Sequence, residues 1–197
     1  RIKGILNRDN CQIVFSDTPG IIDPKYKLHE KMMQAVKSAL EDADVALLIV
    51  DIKDNLTELD ELFSSLKLKV PGILVLNKMD TASAEQITAA SEFFKGKKYA
   101  KVVIGVSALK KTATEDLIDT ILGFLPDGDP FYDSDDLTDL PTKFFVGEMI
   151  REKIFFLYQD EIPYHTTVVV KEFKEKTTLI KIVADIVVQR ETQKGIL

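Results

Sequence analysis

"GILVLNKMD", residues 72–80, decides how the chain folds. Ile73 to Leu76 is an unbroken aliphatic run that turns polar at once at Asn77-Lys78-Met79-Asp80. A strand with one wet face alternates apolar and polar residues, whereas a strand covered on both faces reads as a continuous run. Strands covered on both faces belong to parallel sheets with helices above and below. The residues beyond the run therefore stand at the carboxyl end of a buried strand, where α/β sheets place their chemistry.

The pattern extends in both directions. Val45–Asp51 is a second aliphatic run, and Lys101–Val106 a third. Between them Leu59, Leu62, Phe63 and Leu66 recur at helical spacing and stop before Pro71. Ser83-Ala84-Glu85-Gln86 has the form of a capping box that opens a helix through Ile87, Ala90 and Phe94. A further helix, capped by Thr114, carries Leu117, Ile118, Ile121, Leu122 and Leu125 and closes at Pro126. Upstream, Leu28, Met32, Val36 and Ala39 mark one more helix. The runs Arg1–Leu6 and Cys11–Phe15, separated by Asn7-Arg8-Asp9-Asn10, predict a hairpin. Strands alternating with helices from residue 11 to 125 specify an α/β domain with a mostly parallel sheet, assigned to residues 1–126.

Residues 127–141, DGDPFYDSDDLTDLP, hold six Asp and no periodicity, which predicts a solvated acidic linker. Beyond it, residues 142–197 change character. Thr142–Tyr158 reads as a helix, followed by long strands over Tyr164–Lys174 and Thr177–Arg190 joined at Glu175-Lys176, an α+β module. The net charge of −6 argues against a generic nucleic-acid binder, but its distribution is uneven. Residues 142–197 carry nine Lys/Arg against eight Asp/Glu, so the acid excess lies in the first part and RNA contact by the module is permitted. A single cysteine, Cys11, excludes an intrachain disulfide and suits a reducing compartment. With two histidines, one in each part, a His-based metal or catalytic centre is not expected.

Three strand exits carry the candidate chemistry, and all three are expected along one edge of the sheet. The strand at residue 13 exits into Asp17-Thr18-Pro19-Gly20, the strand at 73 into Asn77-Lys78-Met79-Asp80, and the strand at 102 into Ser107-Ala108-Leu109. A carboxylate at Asp80 can accept both donors of a guanine edge, N1–H and the exocyclic amine. Adenine lacks that donor pair, and an unpaired carboxylate is costly, so such a site rejects adenine nucleotides. Asn77 can bond the far side of the ring or brace the loops, and the stem of Lys78 can cover the ring face. The Ala108 N–H can meet the guanine carbonyl, with Ser107 bracing the loop. At the first exit Asp17 suits a water-mediated contact to Mg²⁺, and Gly20 lets a backbone N–H approach a γ-phosphate. Residues 21–30 would then be ordered by the triphosphate. Taken singly, D-x-P-G is ordinary turn chemistry and N-K-x-D an ordinary solvated turn; their order and strand-end positions raise the functional reading above these.

With D-x-x-G, N-K-x-D and S-A-L in order, the chain resembles the translation-factor class of P-loop GTPases. "DTPGIIDPKYKLHEKM", "VSALK", "TKFFVGEMIREKIFFLYQDEIPYHTTVVV" and "VVQRETQKGIL" further resemble the Era family, ribosome-assembly GTPases with a C-terminal KH domain. The resemblance spans essentially the whole chain. It implies GTP or GDP with Mg²⁺ as ligands, GTP hydrolysis, and partners in small-subunit ribosomal RNA and the assembling 30S subunit. It also implies a cytoplasmic protein with a peripheral membrane fraction; monomer is the default expectation. The nucleotide contacts it implies are Asp17, Thr18, Pro19, Gly20, Asn77, Lys78, Asp80, Ser107, Ala108 and Leu109, with Asp17, Gly20 and Ile21 beside the reacting phosphate.

The sequence departs from that pattern. No G-x-x-x-x-G-K-[ST] loop is present, since Gly96-Lys97 is followed by Lys98 and lacks the spaced glycine, and no G-x-x-G clamp follows the C-terminal strands. The expectation is a GTPase domain lacking its first strand and phosphate loop, joined to an incomplete KH-like module. Such a piece of a longer protein should by itself bind nucleotide and RNA poorly. Ile21 stands where Ras-like enzymes carry a water-orienting Gln, and an apolar side chain cannot orient water, so intrinsic hydrolysis should be slow. A non-catalytic RNA-binding scaffold with a degenerate nucleotide domain, or another ribosome-associated GTPase with a KH-like domain, remains an alternative at this level. Arg151, Lys153, Lys171, Lys174, Lys176 and Lys181 could approach RNA phosphates, but interspersed Glu residues favour an ordinary charged face.

Overall fold

The computed structural model describes residues 2–8, 10–22, 24–159 and 161–196. The chain divides into two compact units between Leu137 and Thr138.

In the first unit, β1 (Lys3–Arg8) and β2 (Cys11–Ser16) pair antiparallel, with Arg8 opposite Cys11. The hairpin loop is thus shorter than the four residues the sequence suggests, because Asn7 and Arg8 stay in the ladder; Asp9 lies outside the described residues. Helix α1 (Lys27–Glu41) buries Val36 and Ala39. Strands β3 (Ala46–Asp51), β4 (Gly72–Asn77) and β5 (Val102–Gly105) form a parallel sheet in the order β3-β4-β5. Central β4 is covered on both faces: Ile73, Leu74, Val75 and Leu76 are at most 1% exposed, as its unbroken aliphatic run requires.

Helices connect these strands. Asn55 caps α2 (Leu56–Ser65), its side chain accepting from the Thr57 and Glu58 amides. Ser83 and Gln86 close the expected capping box on α3 (Ala84–Phe94). Helix α4 (Thr114–Leu122) starts differently from expectation. Thr114 is its first helical residue, not its cap; Ala113 precedes it at φ 55°, and the Thr114 hydroxyl turns back to the Lys111 carbonyl.

One layer of core sits under Leu48, Val50, Phe63, Leu74, Leu76 and Phe94, the other under Ile13, Ile73, Val75, Val106 and Ile121. The second layer corrects the picture of three strand exits on one sheet edge. Among the described residues β2 pairs only with β1 and is not laddered to the parallel sheet. What joins β2 to β4 is side-chain burial, Ile13 against Ile73 and Val75, so two exits share a ladder and the third does not.

The acidic stretch is held in part by the hairpin. Gln12 Oε1 accepts from the Phe131 and Tyr132 amides at 2.8 and 3.0 Å, while its Nε2 donates to the Tyr132 carbonyl at 2.9 Å. Asn7 Nδ2 donates to the Ser134 and Asp136 carbonyls, and the Ile5 amide to that of Leu137.

The second unit comprises α5 (Thr142–Leu157), β6 (Thr166–Lys176), β7 (Leu179–Val188) and the short α6 (Glu191–Lys194). Strands β6 and β7 pair antiparallel about Thr177-Thr178, two residues later than the sequence suggests. A register shift between Val170 and Glu172 inserts an extra residue, Lys171, into β6. Tyr164 and His165, expected in the strand, lie in a 3-10 turn opened by Pro163, whose ring presets the turn conformation. Helix α5 packs on β6, with Gly147 against Val168 and Val170, an α+β arrangement compatible with a KH-like domain.

Candidate guanine-nucleotide site

The β3-β4-β5 ladder aligns Asp51 with Asn77 and Leu76 with Gly105. The segments leaving β4 and β5 therefore emerge side by side. The Val106 amide bonds the Leu76 carbonyl at 2.8 Å, and the Met79 amide returns to the Val106 carbonyl at 3.1 Å, which fastens the two exits together.

Side chains complete the junction. Asn77 Oδ1 accepts from the Lys78 amide at 2.8 Å and from the Ala108 amide at 3.1 Å. Lys78 sits at φ 63°, a left-handed conformation uncommon outside glycine. The Asn77 side chain stabilises that turn by accepting its amide. Ser107, 1% exposed, donates its hydroxyl to Asp80 Oδ1 at 2.5 Å and accepts the Lys110 amide at 3.2 Å. Asp80 itself is exposed at the head of a 3-10 turn, Met79–Thr81, and its Oδ2 has no hydrogen bond among the described residues. A carboxylate held by one oxygen and open at the other suits a ligand edge with two donors.

Sequence reasoning missed Asp51. Its carboxylate receives the Lys78 ammonium at 2.7 Å, which orients the lysine stem along the site. The hydrogen bond from Lys78, then that from the Lys53 amide, holds the Asp51 carboxyl below the usual range, and Asp51 in turn raises the Lys78 ammonium. Asp51 is itself the exit of a buried strand, so the rule that singled out Asn77 also marks it.

The structure gathers Asn77, Lys78, Asp80, Ser107 and Ala108. Leu109 stands beside them, 81% exposed. Asp17, Thr18, Pro19 and Gly20 have no hydrogen bond to this cluster among the described residues; the Asp17 amide instead bonds the Ile2 carbonyl at 2.9 Å. Ile21 packs, half-buried, against the core under Leu48 and Val50. Among the described residues no three His, Cys, Asp or Glu side chains converge as a metal cluster. Asp17, a lone exposed carboxylate, therefore fits Mg²⁺ only as an outer partner of an ion held mainly by phosphate and water.

In the second unit four of the six candidate cations are engaged by acids: Arg151 by Glu148, Lys171 by Asp185, and Lys174 and Lys181 by Glu172.

A family model described as 50S ribosome-binding GTPase matches residues 1–78. The GTPase Era of Geotalea uraniireducens is 40% identical over 200 residues, covering all of this chain and 67% of that protein. The GTPase Era of Caldanaerobacter subterraneus is 38% identical over 209 residues, with the same coverage. The chain belongs to the GTPase Era family. Two solved Era structures agree, each with a TM-score of 0.85 and 34% identity over the whole chain. One is Era in complex with MgGDPNP and nucleotides 1506–1542 of 16S ribosomal RNA, of which this chain covers 68%. The other is a point variant of Aquifex aeolicus Era bound to GDP and AlF4⁻, of which it covers 69%. A GTP-binding protein of Sulfolobus solfataricus, 23% identical over 62% of this chain and 43% of its own, shares the fold with a TM-score of 0.50. Membership of the Era family assigns the first unit to the P-loop GTPase fold.

Proposed function

We propose that the protein binds guanine nucleotide, hydrolyses GTP and binds small-subunit ribosomal RNA during assembly of the 30S subunit. The observation that carries this reading is the junction of two strand exits, where Ser107 and Asn77 fasten Asp80 and the Ala108 loop. Asp80 accepts the N1–H and amine of guanine, and Lys78, steered by Asp51, lays its stem over the ring. The Ala108 amide, which bonds Asn77 Oδ1, would have to turn from Asn77 to meet the guanine carbonyl. An adenine base would leave Asp80 without its donors.

Asp17, Thr18, Pro19 and Gly20 serve the phosphate end. Asp17 accepts from water on Mg²⁺, and the Gly20 amide approaches the γ-phosphate. Mg²⁺ held there through water by Asp17 would supply positive charge against the phosphates. Ile21 supplies no polar atom to orient water and is packed on the core, which supports slow intrinsic hydrolysis. The second unit, with α5 against β6 and β6 paired with β7, belongs to the RNA-binding module.

The test is on the full-length protein. Titration with GDP, GTP and ATP should show guanine nucleotides bound and ATP rejected, with slow phosphate release from GTP. A 16S ribosomal RNA transcript should bind in the same preparation. ATP binding equal to GTP would overturn the nucleotide reading, and no RNA binding the second half.

A further inference from the structure

The sheet edge opposite the nucleotide junction carries a concentration of cations. Six lysines, Lys67, Lys69, Lys95, Lys97, Lys98 and Lys101, fall in the two loops that lead into β4 and β5, in a chain of net charge −6. The fold brings these loops together. The Lys101 amide donates to the Gly72 carbonyl at 2.8 Å, and Leu68 and the Tyr99 carbonyl both close on Gly72. Left-handed residues end the helices above: Lys67 at φ 49° after α2, Gly96 at φ 79° after α3. Each turns its helix sharply into a lysine-bearing loop.

Between them lies a cleft of about 480 Å³, walled by Lys67, Lys97, Lys98, Ser64 and Tyr99, with Asp60 at its side. The one acid there is already neutralised. Asp60 takes the Lys97 ammonium at 2.5 Å on Oδ2 and the Tyr99 hydroxyl at 2.8 Å on Oδ1. Lys95 is paired with Glu92 at 3.1 Å. Lys67, Lys69, Lys98 and Lys101 are exposed and have no ion pair among the described residues. The second unit contrasts with this, since most of its candidate cations are spent on neighbouring acids.

One or two lysines past a helix C-terminus offset its dipole. Six lysines follow two helix C-termini here, four of them after α3 alone, which exceeds that need. The cleft wall offers no exposed aromatic for stacking, since Tyr99 is 7% exposed, so what it presents is charge and hydroxyl groups. That combination suits phosphodiester oxygens and not bases.

We propose that this edge, centred on Lys67 and Lys98, is a second RNA-docking surface that grips backbone phosphates. It rests on the RNA-binding reading above and adds a contact made by the nucleotide-binding unit itself. Strand β4 separates the edge from Asn77, roughly 20 Å for six residues. RNA on the lysine edge therefore leaves the nucleotide junction open, and both can be occupied at once.

The test compares full-length wild type with Lys67→Gln/Lys98→Gln, binding 16S ribosomal RNA transcript over a salt series. Every phosphate that the protein no longer neutralises lowers the salt slope by about 1, so the double variant should show a slope smaller by about 2 and bind several-fold more weakly. Lys67→Arg/Lys98→Arg should restore both, and GDP affinity should match wild type in all three proteins. An unchanged slope with wild-type affinity would overturn the proposal while leaving the RNA-binding reading intact. Weakened binding to 30S subunits but not to naked transcript would also overturn it, in favour of an acidic protein surface. Failure of wild type itself to bind the transcript would remove the underlying reading.

Discussion

The Ser107 hydroxyl donates to one oxygen of Asp80 at 2.5 Å, from a position 1% exposed and 27 residues away in the chain. A buried hydroxyl on one strand exit thereby fixes an exposed carboxylate on the next. The Ala108 amide bonds Asn77 in parallel, so the two exits form one rigid edge. Ser107→Ala removes the brace without enlarging any side chain. Loss of one hydrogen bond to a charged group costs about 1.5–3 kcal/mol, which is ~10- to 150-fold in affinity. GDP titration of the full-length variant should show a weakening in that range, with the urea midpoint lowered as well because the same hydroxyl accepts the Lys110 amide. GDP affinity equal to wild type would mean that Asp80 needs no brace.

Two glycines at the sheet ends should respond unequally to one methyl group. A Cβ at Gly72 would stand 2.0 Å from the Tyr99 carbonyl oxygen, a backbone atom fixed by the loop. At Gly105 it would meet Met79 Sδ at 2.0 Å, the flexible end of a side chain that can turn away. Gly72→Ala should cost about 3 kcal/mol or more, Gly105→Ala less than about 1.5 kcal/mol, both read by urea unfolding. Equal costs would place the Tyr99 loop free to move.

Asp60 makes a prediction in acid. Its carboxyl is held below the usual aspartate value by the Lys97 ammonium, and by the Tyr99 hydroxyl, against the opposing effect of burial. A carboxyl depressed in the folded state contributes stability above its unfolded pKa and loses it as pH falls through the folded value. Wild-type stability should therefore decline below about pH 4, and Asp60→Asn should flatten that decline. Urea unfolding at several pH values checks this. Parallel pH curves for the two proteins would contradict the pairing.

Gln12 should govern the acidic stretch. Its carbonyl oxygen holds the amides of Phe131 and Tyr132. Removing that acceptor in Gln12→Ala should speed hydrogen exchange at these two amides by about fivefold or more, at about 1 kcal/mol per lost bond. Exchange unchanged at both positions would show that other contacts hold the segment.

Sequence reasoning reached the sheet and most of the edge because both rest on local signals. An unbroken aliphatic run announces a doubly covered strand, and the polar residues after it mark where chemistry collects. Asn77, Asp80 and Ser107 were legible for that reason, and Asp51 could have been by the same rule. What escaped was non-local. Composition reads six Asp around Phe131 as solvated chain, and nothing local shows that Gln12, more than a hundred residues earlier, caps its amides. The β6–β7 turn escaped for a related reason: alternation along one strand does not count its partner, so neither the extra residue in β6 nor the turn at Thr177-Thr178 is legible from it. Likewise the separation of β2 from the parallel ladder depends on pairing partners, which Ile13 and Phe15 do not encode by themselves.

The central claim, that this edge reads guanine through Asp80, is tested most directly by Asp80→Asn in the full-length protein. An amide donates where xanthine presents a carbonyl and fails where guanine presents its amine. GDP affinity should fall at least about 100-fold while xanthosine diphosphate binding appears. GDP affinity unchanged from wild type, with no gain for xanthosine diphosphate, would contradict it.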